Sequence, residues 1–175
     1  MVENIRTKLE KIRLLAMDVD GVLTDGTIVV NADGSESKSF SALDGHGLKL
    51  WKRVGLEVAW ISGRTSEPTR RRAKQLEVVH VFEECHDKLP VIAKLIADLG
   101  LNAENVAYIG DDLPDLPVIR YVGFGAAVAN AVAEVKHYAD YLTKCSGGKG
   151  AVREVVEHIL RNTGRWETLM NRYLP

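Results

Sequence analysis

Cysteine is nearly missing from this chain: of 175 residues only Cys85 and Cys145 carry thiols, and neither belongs to a CxxC pair. That scarcity excludes a disulfide framework or cysteine zinc site and points to reduced thiols in a cytoplasmic protein. Long apolar runs are missing as well. The stretch FGAAVANAVAEV from Phe124 is rich in small residues and soon meets Glu134 and Lys136, short of the roughly 20 residues that span a bilayer. Neither sign of charge dominates, with 23 Lys and Arg against 24 Asp and Glu, so no global field draws the chain to nucleic acid or an acidic membrane. Aromatics make up only 6%, which leaves no stacking platform for bases. Repeats, low-complexity segments and linkers are absent from the sequence. The first dozen residues, MVENIRTKLEKI, mix both charges around Ile5, Leu9 and Ile12; they resemble an amphipathic lead-in helix, not a signal peptide. The length fits one domain, 1–175, without room for a core plus a separate lid.

What is present is an alternation. Short β-prone runs recur at Arg13–Met17, Glu57–Ile61, Val78–Phe82, Asn105–Ile109 and Val122–Ala126, with a weaker one at Tyr138–Leu142. Helical spacing fills the gaps: His46–Val54, a helix capped by Ser66 with Pro68 in its first turn, and Leu89–Leu99 before Gly100. Strands without polar alternation, separated by helices, predict an α/β fold: a Rossmann-like three-layer sandwich around a mostly parallel sheet. One segment breaks the pattern. Residues 26–40 place β-prone arms around Asn31-Ala32-Asp33-Gly34, a turn signal for a hairpin protruding beside the first strand. Its apolar Ile28, Val29, Val30 and Phe40 need cover, either from a flap packed on its own domain or from another subunit. Residues 147–175 form a glycine-rich loop, a helix with Arg153 and a further amphipathic tail.

Ligands of parallel sheets bind at the carboxyl ends of the strands, and the polar motifs fall there. Asp18 and Asp20 follow the first run, two positions apart, so both carboxylates project to one side while Val19 turns away. One can attack and the other can move protons. Ser62-Gly63-Arg64 follows the next long strand, offering a hydroxyl, open backbone N–H groups and a cation suited to phosphate oxygens; Ser62 as a plain helix cap is the competing reading. Lys88 opens a helix, where a cation is locally unfavourable unless an anion sits nearby. Asp111, Asp112 and Asp115 add carboxylates at the same mouth, a concentration of charge that a hard cation such as Mg²⁺ relieves.

The motifs DxDGVLTDG, ISGR, the spaced Lys88 and GDDxxD, in this order, resemble the four motifs of the haloacid dehalogenase superfamily of phosphotransferases. With the DG-turn hairpin, Asp44-GHG and GGxGAVRE, nearly the whole chain is similar to its capless 3-deoxy-D-manno-octulosonate 8-phosphate phosphatases. The resemblance implies that Asp18 forms an aspartyl phosphate and that Asp20 protonates the leaving group and then activates water. Ser62, Gly63 and Lys88 would hold phosphoryl oxygens. Mg²⁺ would sit on the Asp18 carboxylate, the Asp20 carbonyl and Asp111, with Asp112 and Asp115 supporting. It further implies no cap domain, a cytoplasmic homotetramer whose subunits complete one another's sites, and Arg64 and Arg153 meeting a phosphorylated sugar acid. Three other readings stand beside it: an N-acylneuraminate 9-phosphate phosphatase, a non-catalytic scaffold or regulatory module, and a nucleic-acid phosphatase, the last disfavoured by charge and aromatic content.

Overall fold

Apolar residues on both sides of a strand demand cover on both faces, and the fold supplies it. The computed structural model describes residues 5–174; the first four residues of the expected lead-in helix and the final residue of the tail lie outside them. The strands are β1 (Leu14–Met17), β2 (Val29–Val30), β3 (Glu36–Ser37), β4 (Glu57–Ile61), β5 (His80–Phe82), β6 (Val106–Gly110), β7 (Phe124–Ala127) and β8 (Tyr141–Leu142). Six of them form one sheet in the order β5-β4-β1-β6-β7-β8, and every neighbouring pair is parallel. β1 is central, with Leu14–Met17 in register with Glu57–Trp60 on one side and Val106–Ile109 on the other. All of β1 and β6 is buried.

The helices are α1 (Ile5–Glu10), α2 (Ala42–Arg53), α3 (Glu67–Leu76), α4 (Lys88–Asp98), α5 (Leu116–Tyr121), α6 (Ala133–Tyr138), α7 (Ala151–Asn162) and α8 (Arg165–Met170). α2 packs along α7, which also meets α1 and α8, while α4, α5 and α6 meet in succession. Between these layers Trp51, Trp60, Tyr108, Phe124, Leu14 and Leu15 are fully buried, and each large apolar side chain so removed from water contributes about 1.5–3 kcal/mol.

The start of α2 and the capping of α3 differ from the sequence expectation. α2 begins at Ala42 rather than His46, because Ser41 Oγ accepts from the Asp44 N–H at 3.4 Å and opens the helix earlier. Its two internal glycines have a tertiary cause: a Cβ at Gly45 would overlap the Arg72 guanidinium, and one at Gly47 would press on Arg153. Ser66 stands at the N-cap of α3, yet its side chain makes no capping bond; its N–H donates instead to Glu83 Oε1 at 2.8 Å.

The hairpin is present as antiparallel β2 and β3, with only two residues in each ladder strand. Gly34 takes φ +82° at its turn, and Asp33 Oδ1 accepts from the Ser35 N–H at 2.9 Å. Its arms differ in cover. Ile28, Val29 and Val30 on the first arm are exposed, while Phe40 beyond the second packs against the core. This hairpin is the sole insertion between β1 and α2, and no cap domain occurs among the described residues. No helix among them is long and apolar enough to cross a membrane.

Candidate active site

The strand order reverses direction about β1, so a crevice opens at the carboxyl ends of β1, β4 and β6. Asp18 follows β1, Ser62 follows β4 and Asp111 follows β6, which brings three segments distant in sequence to one edge. The resulting cleft is lined by Asp18, Asp20, Gly63, Arg64, Cys85, His86, Lys88, Asp111, Asp112, Pro114 and Asp115. Its volume is about 220 Å³. Pockets that enclose a drug-sized ligand run to roughly 300–1,000 Å³, so this cleft is smaller than those.

Lys88 is the electrostatic hub. It is 4% exposed, and its Nζ donates to Asp18 Oδ1 at 2.8 Å and to Asp115 Oδ1 at 2.7 Å. Burial alone would lower its pKa, but the charges of Asp115 and Asp18 outweigh burial and hold it above its ordinary value. Asp115 in turn has both oxygens engaged: Oδ1 also accepts from the Tyr108 hydroxyl at 2.6 Å, and Oδ2 accepts from the N–H groups of Asp111 and Asp112 at 2.9 and 3.3 Å. Fully bonded and 1% exposed, it holds Lys88 and the loop after β6 in place from beneath. Burial, with Asp115's charge beside it, pushes the Tyr108 phenol far up, so Tyr108 remains a donor.

The carboxylates crowd as the sequence implied. Asp18, Asp111 and Asp115 each bring a carboxylate oxygen within 4.8 Å of the others. Burial first, and then the Asp115 charge, raises Asp18 from 3.8 to about 6; burial followed by Asp18 and Asp115 raises Asp111 to about 8. Asp111 Oδ1 is buried without a hydrogen-bond partner. Oxygen-only donors, one of them orphaned, with protons held against burial, form a set that fits a hard divalent cation. Asp115's commitments leave Asp18 and Asp111 as the oxygens free for such an ion. Asp112 caps the short turn Leu113–Asp115, its Oδ1 accepting from the Leu113 N–H at 2.8 Å.

Of the other expected residues, Ser62 is buried, and its Oγ accepts from the Arg64 N–H at 3.1 Å, which shapes the turn and leaves the hydroxyl proton to donate. Gly63 and Arg64 face the cleft. Arg153 does not: its Nε donates to Glu157 at 2.7 Å and its guanidinium lies over Trp166. The glycine-rich segment before it packs under the first loop, with the Gly148 N–H donating to Val22 O at 2.9 Å and Gly147 so close to the Gly21 carbonyl that a Cβ would overlap it. Asp44 anchors the far end by accepting from the N–H groups of Gly150 and Arg153 at 3.1 and 2.8 Å.

Two residues that sequence reasoning did not single out reach the site from β3 and the residue beyond it. Glu36 pairs with Arg64, and Lys38 Nζ lies 2.6 Å from Asp20 Oδ1. The alternation of a strand, which puts residues two apart on one face, is the signal that could have linked them.

With this geometry in view, the comparisons are concordant. A model of the haloacid dehalogenase-like hydrolases matches residues 69–155. A 3-deoxy-D-manno-octulosonate 8-phosphate phosphatase KdsC of Salmonella typhi is 43% identical over 162 residues, covering 93% of this chain and 86% of the relative. Among solved structures, a probable phosphatase of the YrbI family from Pseudomonas syringae is 48% identical with a TM-score of 0.95, over 98% of this chain and 97% of that one. A 3-deoxy-D-manno-octulosonate 8-phosphate phosphatase from Moraxella catarrhalis, in complex with magnesium, phosphate and KDO, is 42% identical with a TM-score of 0.95, over 99% of both chains.

Proposed function

The chain belongs to the 3-deoxy-D-manno-octulosonate 8-phosphate phosphatases of the haloacid dehalogenase-like hydrolases, and from that premise we propose that it hydrolyses 3-deoxy-D-manno-octulosonate 8-phosphate to the free sugar acid and phosphate. The observation that carries the reading is the buried contact of Lys88 with Asp18 at 2.8 Å, in a cleft that also collects Asp20 and Asp111. A cation against the nucleophile's carboxylate is what an incoming phosphate dianion requires, since phosphate esters are among the slowest biological bonds to break.

Asp18 attacks phosphorus while Asp20 gives its proton to the departing sugar oxygen, leaving a phosphoryl group on Asp18. Asp20 then takes a proton from water as that water attacks phosphorus, and the Asp18 carboxylate is released. Lys88, the Ser62 hydroxyl and the backbone around Gly63 bind phosphoryl oxygens, and Arg64 meets the sugar acid at the cleft mouth. Mg²⁺ would be held by the carboxylates of Asp18 and Asp111 and the Asp20 carbonyl, where it neutralises phosphoryl charge. Because Asp20 must be protonated for one step and ionised for the next, turnover follows a bell-shaped pH profile.

The protein acts as a single domain in the cytoplasm, within the synthesis of lipopolysaccharide precursors, and as a homotetramer. The small cleft and the exposed Ile28, Val29 and Val30 beside it support enclosure of the sugar by a neighbouring subunit, which could also bring Arg153 to the substrate. The test is phosphate release, with and without Mg²⁺, from octulosonate 8-phosphate, neuraminate 9-phosphate, hexose phosphates and a 5′-phosphorylated oligonucleotide, with Asp18→Asn as control. Mg²⁺-dependent preference for the eight-carbon acid is expected. Preference for the nine-carbon acid would move the substrate, and no turnover above the control would overturn the reading.

A further inference from the structure

We infer that Lys38, just beyond β3 on the hairpin, is a positioning residue for Asp20: it fixes one carboxylate oxygen and so holds the group in place for proton transfer. The inference rests on the phosphatase reading above. Lys38 Nζ lies 2.6 Å from Asp20 Oδ1, and its side chain is only 2% exposed. Asp20 Oδ2 is buried and has no hydrogen-bond partner. The contrast with Asp115 is instructive, because that carboxylate is bonded through both oxygens and can only hold its neighbours. A proton carrier needs a carboxyl group that cannot rotate away from the reacting atom, and the Lys38 contact anchors one of its two oxygens.

The hairpin is built to deliver this contact. Residues two apart on an extended arm share a face, so Glu36 and Lys38 descend together, Glu36 onto Arg64 and Lys38 onto Asp20. Thr69 Oγ1, 3.5 Å from Lys38 Nζ, offers the cation a second, weaker acceptor from α3. Oδ1 accepts from Lys38 whether or not Asp20 is protonated, because a neutral carboxyl keeps a carbonyl oxygen. The contact with Lys38 therefore persists while the Asp20 proton passes to the sugar oxygen, as the phosphorus–oxygen bond to the sugar breaks and the bond to Asp18 forms, and while it is restored from water as the Asp18–phosphorus bond breaks.

Leaving-group dependence separates this role from a structural one. Lys38→Met and Lys38→Arg are compared with the wild type, in Mg²⁺, on octulosonate 8-phosphate, whose alkoxide needs a proton, and on p-nitrophenyl phosphate, whose phenolate does not. The expected result for Lys38→Met is a fall in kcat of about 100-fold or more on the sugar phosphate and less than about tenfold on the aryl phosphate, with KM little changed. Lys38→Arg should recover most of the difference. Should Lys38→Met fail to fold by circular dichroism, Lys38→Gln takes its place with the same pattern at smaller size. Equal losses on both substrates, a loss confined to KM, or no recovery by arginine would overturn the role of Lys38 while leaving the phosphatase standing. Wild-type protein inactive on both substrates would overturn the phosphatase reading and this inference with it.

Discussion

Lys88 shows how much of this site depends on a single charge. It faces Asp18 and Asp115 at 2.8 and 2.7 Å with almost no access to water, so removing it leaves two buried carboxylates without their shared cation. Breaking a buried pair in this way costs about 3–5 kcal/mol. Lys88→Met should therefore lower the urea midpoint clearly as well as abolish turnover, whereas Asp18→Asn, which removes one of the repelling charges, should abolish turnover and leave the midpoint unchanged or raised. The carboxylates also set a pH dependence. Asp18 and Asp111 titrate near 6 and 8 in the folded chain, against 3.8 ordinarily, so the native state holds protons that the unfolded state has released. The contribution of these two groups to the stability of the metal-free protein then falls as pH rises from about 4 to about 8. Mg²⁺ competes with those same protons, so it should raise the melting temperature more at about pH 8.5 than at about pH 5.5. A shift independent of pH would mean that the ion does not sit on Asp18 and Asp111.

At the scale of elements, the loop after β1 is held by glycines on both sides of a contact. Gly147 meets the Gly21 carbonyl so closely that any side chain collides with backbone, and Gly21, at φ +97°, has its own Cβ position taken by Asp111. Gly147→Ala should displace the loop that carries Asp18 and Asp20, costing about 1–3 kcal/mol and most of the activity. Gly164→Ala is the control: its φ is +68° with open space around it, so the cost is about 1–2 kcal/mol of backbone strain and turnover is unaffected. A Gly147→Ala protein with unchanged turnover would show that the loops are not coupled. These contacts explain what was and was not legible in the sequence. Unbroken apolar runs exposed the buried strands, and strand ends followed by Asp, Ser-Gly-Arg or Asp-Asp exposed the site, because both signals are local. The early start of α2 was hidden by Gly45 and Gly47, whose fit depends on Arg72 and Arg153 far along the chain. Ser66 had the right residue type for a cap, but Glu83 from another segment satisfies the backbone there. Lys38, Glu36 and Tyr108 carried no motif at all; only folding brings them to Asp20, Arg64 and Asp115.

The whole molecule is a sheet with its chemistry at one edge and an uncovered hairpin beside it. Val30 is 67% exposed and Ile28 48%, an apolar tip on the hairpin whose other arm reaches the cleft through Glu36 and Lys38. If neighbouring hairpins cover one another, the paired change Ile28→Glu and Val30→Glu should convert a tetramer to smaller species in light scattering and raise KM for the sugar phosphate. A wild-type monomer that is fully active would show that the open cleft suffices. Beneath assembly and specificity lies the claim on which everything else depends, that the phosphoryl group passes through Asp18. The most direct measurement is acid quenching of the protein during turnover of octulosonate 8-phosphate with Mg²⁺, followed by peptide mass spectrometry. The account predicts a phosphoryl group on the peptide carrying Asp18, absent when Mg²⁺ is withheld and absent from Asp18→Asn. Rapid phosphate release with that peptide unmodified at every quench time, or a phosphoryl group on another residue, would contradict it.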